Sequence, residues 1–213
     1  MTRSHNVILC DREVTLRSLS SRDQQSWCEL NDRDRDWFRP WEGTDPNYPS
    51  QRINPDPATY RKMFRYFMAE ARAGRMLPFA IEHQGSFVGQ LLVSGIVRGS
   101  MRCAQLGVWL SKQHAGQGIA VTSVALATDH CLGPLGLYRI ECFTRTENTP
   151  ARRIMEKLGF CEHGVIPGYM HVDGKWRDHV MYGITSDEIP AGGLVEYWRN
   201  LQEVEPTTSD STT

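Results

Sequence analysis

The stretch Gln113-His114-Ala115-Gly116-Gln117-Gly118-Ile119-Ala120 decides how the rest of this chain is interpreted. It follows an apolar run, Leu106-Gly-Val-Trp-Leu110, that predicts a buried strand, and it precedes residues 121–128, which predict a helix. A glycine loop between a strand and a helix directs unpaired backbone N–H groups at one point, with the positive end of the helix dipole behind them. The sequence therefore predicts a site for a phosphate or pyrophosphate.

Three phosphate-binding patterns can be compared with this loop. A P-loop needs Gly-x-x-x-x-Gly-Lys followed by Ser or Thr, and no lysine follows Gly118. A dinucleotide fingerprint needs Gly-x-Gly-x-x-Gly or Ala, and Val121 occupies its last position. The third pattern, Gln/Arg-x-x-Gly-x-Gly/Ala, matches Gln113, Gly116 and Gly118. Taken alone, the loop is equally compatible with a simple turn of the chain, so its context has to decide.

Further motifs follow the loop in order. Residues 135–144 have the pattern of a strand, and Glu147-Asn148-Thr149 precedes an amphipathic stretch at 151–160 that ends in Leu-Gly-Phe. Gly174-Lys-Trp-Arg-Asp178 and a second apolar run complete the series. Across about residues 12–185, these motifs resemble the GCN5-related N-acetyltransferases (GNAT), in particular the RimJ and RimL branch of ribosomal-protein-alanine N-acetyltransferases.

The resemblance implies a fold and a co-substrate. The fold is α/β (α+β): a mixed, mostly antiparallel central sheet with helices on both faces, in which two splayed strands hold acetyl-CoA. The strand before the glycine loop and the strand that begins near Arg139 are the two that splay. The residues that the resemblance assigns to acetyl-CoA are Val108, Trp109, Leu110, Gln113, His114, Ala115, Gly116, Gln117, Gly118, Ile119, Ala120 and Asn148.

A second resemblance concerns the acceptor of the acetyl group. The stretch Trp37-Phe-Arg-Pro-Trp41-Glu42-Gly-Thr44 is similar to the substrate loop of RimJ-type members, which assigns Trp37, Trp41 and Glu42 to the acceptor. The acceptor implied is the N-terminal α-amine of an alanine-starting ribosomal protein. A small-molecule amine is the alternative within the same chemistry, and a non-catalytic acyl-CoA-binding module is the alternative outside it.

The charge of the acceptor sets how strong a base is needed. Neutralising an α-amine at pH 7 costs about 1 kcal/mol, because its pKa is ~7.7–8.0, whereas a lysine ammonium costs about 4–5 kcal/mol. A carboxylate of ordinary strength therefore suffices for an α-amine. We consider Glu42 in the substrate loop and Glu82 in a predicted strand as the candidate catalytic carboxylates.

The general acid has no clear candidate. Related enzymes carry a tyrosine or a serine on the helix after Asn148, and the matching positions here hold Met155 and Ala151. Tyr182 matches a tyrosine of the last strand and is a weak catalytic substitute. A thiol with a pKa of ~8.5 can also leave as a thiolate, so the reaction does not depend on a named acid.

The size and composition of the 213-residue chain fit one soluble domain, which we place at 1–200. We expect a disordered tail at 201–213, which lacks aromatic anchors. A net charge of −1 argues against nucleic acid or an anionic membrane as partner, and no long apolar window predicts a spanning helix. Six cysteines without a Cys-x-x-Cys pair predict buried, reduced thiols in the cytoplasm, and the histidines have no metal-like spacing. The protein is expected to be a monomer or a homodimer.

Local patterns before the glycine loop predict the remaining elements. They are a strand at 14–16, a helix at 20–30 that serines can cap, a long loop region at 31–58, and a helix that ends at Gly74. Residues 77–82 and 87–97 predict a hairpin over Gln84-Gly85.

Overall fold

The computed structural model describes residues 7–48 and 54–204. Numbered along the chain, its strands are β1 (Ile8–Asp11), β2 (Val14–Ser18), β3 (Leu77–His83), β4 (Ser86–Val97), β5 (Cys103–Leu110), β6 (Arg139–Arg145), β7 (Cys161–Val172) and β8 (Lys175–Thr185). All of them are hydrogen-bonded in one sheet, in the spatial order β1-β2-β3-β4-β5-β6-β8-β7. The β3–β4 hairpin and the strand before the glycine loop are confirmed.

Helices cover both faces of this sheet. They are α1 (Gln24–Arg33), α2 (Arg35–Phe38), α3 (Pro57–Arg72), α4 (Ile119–Leu132), α5 (Thr149–Lys157) and α6 (Gly193–Val204). Helices α1 and α3 pack on one face, which we call the α1–α3 face. Helix α4 packs on the other, the α4–α6 face, with α5 and α6 against it. The predicted mixed sheet with helices on both faces is confirmed.

The larger core lies on the α4–α6 face. Helix α4 is apolar around most of its circumference, and all but three of its residues are buried, as expected for a helix enclosed on every side. Leu16, Ile81, Leu91 and Ile140 contribute from four different strands, and each is completely buried. Because side chains alternate along a strand, the positions between these residues point to the α1–α3 face.

One strand pair differs from all the others. Strands β5 and β6 are parallel, and their pairing is limited to three residues of each strand, from Cys103 opposite Arg139 to Gln105 opposite Glu141. The other adjacent pairs are antiparallel. The sheet is therefore mostly antiparallel, and it is open between the carboxyl-terminal halves of β5 and β6.

The region before α3 contains more structure than the sequence patterns predicted. The helix expected at 20–30 is a short turn at Ser21–Asp23 followed by α1, and Ser20 caps that turn in a capping box with Asp23. The loop region expected at 31–58 contains the end of α1, all of α2 and the first two residues of α3, which begins directly after the cap residue Asp56. The first strand, β1, was not predicted, because its four residues are too few to show alternation.

Helix α6 corrects the predicted boundary of the tail. Residues 201–204 were assigned to a disordered tail, but α6 continues to Val204. Leu194 and Trp198 of this helix are buried, and Leu201 packs against the same core. Because they are spaced at i, i+4 and i+7, these side chains form an apolar stripe along α6. The stripe packs against α4 and orders the last turn of α6. The remainder of the predicted tail, 205–213, lies outside the described residues.

Two further findings concern membrane-spanning helices and the cysteines. In the part of the protein that the structure describes, no helix has the length and apolar character needed to span a membrane. The six cysteines are free thiols, but only Cys131 and Cys142 are buried. The prediction of buried thiols is therefore wrong for the other four, which lie at the surface or near it.

Candidate functional site

The glycine loop has a backbone conformation that requires glycine. Gly116 and Gly118 have φ values of +80° and +78°, in the left-handed region that costs other residues about 1–2 kcal/mol. Gly118 is the cap residue immediately before α4. Apart from its chain neighbours, no residue in the described part of the protein has an atom within 4 Å of a Cβ placed on Gly116, so the space in front of the loop is open to them. The predicted strand–loop–helix arrangement is confirmed.

This conformation leaves a row of backbone donors free. The N–H groups of His114 and Ala115 donate to Ser111 and Lys112, and the first donor of the helix, Thr122 N–H, bonds to the Gly118 carbonyl. Between them, the six N–H groups of residues 116–121 donate to no acceptor within 7–48 and 54–204. Consecutive free N–H groups at the positive end of a helix form an anion-binding cradle.

The strand side of the cradle is fixed by three polar contacts. Ser111 Oγ lies 2.7 Å from His114 Nδ1, and the N–H of Lys112 donates to Asp34 Oδ2 over 2.8 Å. Asp34 is buried at the end of α1, and its bond with Arg33 lowers its pKa, so it accepts as a carboxylate. Burial also lowers the pKa of His114. The turn that precedes the cradle is thus anchored to the α1–α3 side of the molecule.

The opening between β5 and β6 provides an exposed strand edge. Residues 106–110 of β5 pair with β4 but have no partner in β6, and residues 142–145 of β6 pair with β8. Val108, Trp109 and Leu110 therefore present backbone groups to the opening, next to the cradle. An extended chain of amide groups can add to such an edge as an additional strand. The predicted splaying of these two strands is confirmed.

Aromatic rings flank the opening on the α1–α3 face. On the β5 side, the Trp109 ring packs edge to face with Phe38 of α2 and Phe87 of β4, at centroid distances of 5.2 and 6.1 Å. On the β6 side, Phe143 stacks on Tyr169 of β7 with 4.6 Å between the centroids. These two walls limit access of water to the space between them.

The 37–44 segment crosses from one wall to the other. Near its start, Phe38 packs on Trp109. Arg145 of β6 then donates to the Pro40 carbonyl over 2.5 Å, and its guanidinium lies 5.4 Å from the centroid of the Trp41 ring. At its far end, the N–H of Thr44 donates to the His171 carbonyl, and Gly43 forms an isolated bridge with β7. The substrate loop proposed from sequence therefore spans the opening.

The three acceptor residues predicted in this segment are at least partly exposed. Trp37 and Trp41 are each 37% exposed, so both rings retain surface for a ligand. Glu42 is half-buried, and its N–H donates to the Phe38 carbonyl, which fixes the backbone of the segment at that point.

Two of the predicted catalytic residues lie elsewhere. Glu82 is in β3, two strands from the opening, and Arg17 donates to its carboxylate over 2.8 Å while also binding Asp23. It therefore belongs to an ion-pair network of β2, β3 and the turn before α1. The prediction that Glu82 acts as the base is not supported.

Tyr182 is also committed to a structural network. The residue is fully buried on the α4–α6 face, where its hydroxyl donates to Glu162 of β7 over 2.9 Å and accepts from Arg152 of α5 over 3.1 Å. Burial raises its pKa. Because these partners occupy the hydroxyl on the far side of β6 from the opening, the structure does not support Tyr182 as a general acid.

The start of α5 supplies a cap and no acid. Asn148 is the cap residue, and its Oδ1 accepts from the N–H of Ala151 over 3.2 Å, while its amide nitrogen makes no hydrogen bond within the described part of the chain. That nitrogen is free to reach a ligand. Met155 is 1% exposed and belongs to the core. Neither Ala151 nor Met155 can therefore act as a general acid: both side chains are apolar, and that of Met155 is enclosed in the core.

Sequence reasoning missed four residues around the opening. Arg145, Tyr169 and His179 lie on its β6 side, and Gln90 is buried next to Trp109 in the neighbouring strand. No motif marks them, because each occupies an ordinary strand position. The available signal was Pro167-Gly168 within β7, which predicts an interruption of regular pairing. Among the residues described, no group of three or more His, Cys, Asp or Glu could hold a metal ion.

A separate cavity does not belong to this site. Its volume is about 340 Å³, and it lies between α3 and the start of β3, with Phe64, Met68 and Pro78 in its walls. That end of β3 is opposite to the end that approaches the glycine loop. The opening between β5 and β6, with its free donors, remains the better candidate for chemistry.

Comparisons with known proteins agree with this geometry. Probable N-acetyltransferase YjcK of Bacillus subtilis (strain 168) is 32% identical over 101 residues, which are 47% of this chain and 56% of that protein. The ribosomal protein uS5-alanine N-acetyltransferase of Escherichia coli (strain K12) is 27% identical over 105 residues, 49% of this chain and 54% of the enzyme. The chain thus spans about half the length of the curated relatives it matches.

A solved structure is similar over nearly the whole chain. Mycobacterium smegmatis RimJ in complex with CoA-disulfide superposes with a TM-score of 0.86 and 34% sequence identity, covering 92% of this chain and 94% of that one. The family model for the acetyltransferase (GNAT) domain matches residues 13–161, well over half of the sequence. With the open β5–β6 pair and the cradle before α4, these matches establish that the chain belongs to the acetyltransferase (GNAT) family.

Proposed function

We propose that this protein transfers the acetyl group of acetyl-CoA to the α-amine of a protein N-terminus. The observation that carries the proposal is the juxtaposition of three features: the cradle of residues 116–121, the unpaired edge of β5, and the 37–44 segment that crosses the opening between β5 and β6. The cradle suits a diphosphate, and the 37–44 segment at the other end of the opening suits an amine.

The residues present fit acetyl-CoA. The free N–H groups from Gly116 to Val121 suit its pyrophosphate, and the edge of Val108, Trp109 and Leu110 suits the amide groups of the pantetheine arm. When bound, acetyl-CoA supplies an activated acetyl thioester. An N–H group of the β5 edge is then placed to donate to the thioester oxygen as negative charge develops there.

The acceptor is inferred from the segment that covers the opening. Glu42 supplies the carboxylate of that segment, and it is half-buried between Trp41 and Gly43, which bridges to β7. A carboxylate and an aromatic ring suit an α-ammonium group followed by a small side chain. The names of similar proteins, a RimJ and a uS5-alanine N-acetyltransferase, point to an alanine-starting ribosomal protein. Such an acceptor places the reaction in the cytoplasm.

Release of CoA thiol from acetyl-CoA tests the proposal. The panel contains an Ala-starting peptide, the same peptide with a blocked terminus and an internal lysine, and a small polyamine. We expect turnover well above the no-acceptor background with the first peptide alone. Preference for the polyamine would assign the site to small amines, and binding of acetyl-CoA without any turnover would leave an acyl-CoA-binding module.

A further inference from the structure

His179 is a buried histidine that no sequence motif marks. It lies in β8 opposite Arg145 of β6, and it is 4% exposed. Cross-strand partners lie on the same face of a sheet. Because Arg145 contacts Pro40 and Trp41, the imidazole lies on the face that the 37–44 segment covers, at the β6 side of the opening.

One nitrogen of this imidazole has a fixed role. Nδ1 lies 3.0 Å from the carbonyl oxygen of Arg177. A carbonyl can only accept a hydrogen bond, so in the neutral ring Nδ1 carries the hydrogen and Nε2 has the free lone pair. Nε2 makes no hydrogen bond with any residue of the described ranges. The ring is therefore oriented by the backbone and has one basic nitrogen available.

An irregularity in β7 builds the surroundings of this ring. The register between β7 and β8 shifts between Ile166 and Met170, and the N–H of Gly168 donates to Asp178 over 2.8 Å. This bulge places Tyr169 over Phe143, with its ring centroid 5.3 Å from that of His179. Bulges of this kind re-aim side chains beside functional sites. Here the bulge joins His179 to the aromatic wall of the opening.

The charged groups around His179 are few. Arg145 faces it from β6, and two of its guanidinium nitrogens donate to the Pro40 carbonyl and to Glu147, whereas its buried Nε has no hydrogen-bond partner in the described ranges. Tyr169 faces it from β7, and burial raises the pKa of that phenol, so it is neutral. From the 37–44 segment, the titratable groups are Arg39 and Glu42. None of these groups is hydrogen-bonded to Nε2.

We propose that His179 is the general base that deprotonates the acceptor amine. The inference rests on the proposed function and assigns Glu42 the role of holding the ammonium group. Nε2 takes one proton from the ammonium, and the freed nitrogen lone pair forms a bond to the thioester carbonyl carbon. The carbon–sulfur bond breaks with its electron pair on sulfur, which takes the second proton of the amine. His179 then returns its proton to water, and the products are an amide and a thiol.

The variant His179→Asn separates catalysis from structure. Asparagine keeps a donor at the place of Nδ1 and removes Nε2. The matched control is His163→Asn, at an exposed position of β7. For each variant, acetyl-CoA affinity, the unfolding midpoint and kcat/KM for an Ala-starting peptide are measured between about pH 6 and pH 9. His179→Gln provides a second replacement should the asparagine variant not fold.

We expect His179→Asn to keep acetyl-CoA affinity and to lose about 10²–10⁴-fold in kcat/KM at pH 7. The loss should shrink as the pH rises, because an α-amine with a pKa of ~7.7–8.0 then deprotonates without help. The control should match the wild type throughout. A merely structural role predicts a loss that is constant with pH.

Two results separate this inference from the function on which it rests. If the wild type acetylates α-amines and His179→Asn is equally active at pH 7, or is impaired by the same factor at every pH, only the role of His179 is overturned. If the wild type binds acetyl-CoA but acetylates no α-amine, the proposed function fails and the role of His179 fails with it.

Discussion

At the residue scale, the site depends on backbone conformation more than on side-chain identity. Gly116 and Gly118 supply two left-handed conformations in three residues, and these leave the donors of residues 116–121 unpaired. Asp34 and Ser111 fix the turn before them. A change at the loop should therefore affect binding of an anion even where it disturbs no packing.

Gly116→Trp tests this expectation against a matched control, Gly99→Trp. The two glycines have φ values of +80° and +74°, and at either position an added Cβ meets no atom within 4 Å from the described residues beyond its chain neighbours. Both variants should lose a similar amount of stability, about 1–2 kcal/mol. Only Gly116→Trp should weaken acetyl-CoA binding in calorimetry, by tenfold or more, an order-of-magnitude expectation for an obstructed cradle. Equal affinities in the two variants would show that the loop does not hold the diphosphate.

Glu42→Gln tests the contact with the acceptor. If Glu42 holds the ammonium group, its neutralisation should cost roughly 2–4 kcal/mol of transition-state binding, about 30- to 1000-fold in kcat/KM on an Ala-starting peptide. Asp36→Asn is the control, since its carboxylate is 97% exposed in the same region and pairs only loosely with Arg39. An unchanged kcat/KM for Glu42→Gln would remove Glu42 from the site.

At the scale of the elements, local patterns predicted those strands and helices in which apolar residues recur with a clear period. The hairpin of β3 and β4, the strand–loop–helix of β5 and α4, and the amphipathic α5 follow from periodicity and caps that are visible in the sequence. No local pattern could predict three other features, because they depend on contacts between residues distant in sequence. These features are the path of the 37–44 segment across the opening, the bulge at Tyr169 and the position of His179. The ion-pair partner of Glu82 and the hydroxyl partner of Tyr182 are likewise distant in sequence, so no local pattern revealed the networks that hold these two side chains.

Helix α6 illustrates how a tertiary contact orders a segment. Asp129 of α4 accepts from the N–H groups of Leu194 and Val195, over 2.8 and 3.0 Å, and so caps the start of α6. Asp129→Ala should destabilise the protein by about 1–2 kcal/mol, the usual cost of a lost cap. The comparison is Asp32→Ala, an exposed partner of Arg35, which should change stability by less than about 1 kcal/mol. Equal shifts of the denaturant midpoint would contradict the capping role.

At the scale of the whole molecule, one sheet brings the proposed diphosphate site and the proposed acceptor site to the two ends of the same opening. The cradle lies at the end of β5, and the 37–44 segment crosses between β5 and β6 on the α1–α3 face. No strong base lies on that segment, and a buried histidine lies beside it. Under the proposed function, we expect such a site to accept an amine that is already partly neutral and to discriminate against a lysine side chain.

The most direct test is a competition within one peptide. An Ala-starting peptide with a free terminus and one internal lysine is incubated with the protein and acetyl-CoA, and mass spectrometry of fragments locates the acetyl group. We predict acetylation at the terminus, with a preference of about 10²–10³-fold over the lysine that follows from the difference between the two amine pKa values. Acetylation of the lysine at a comparable rate, or of neither amine, would contradict N-terminal acetylation as the function of this protein.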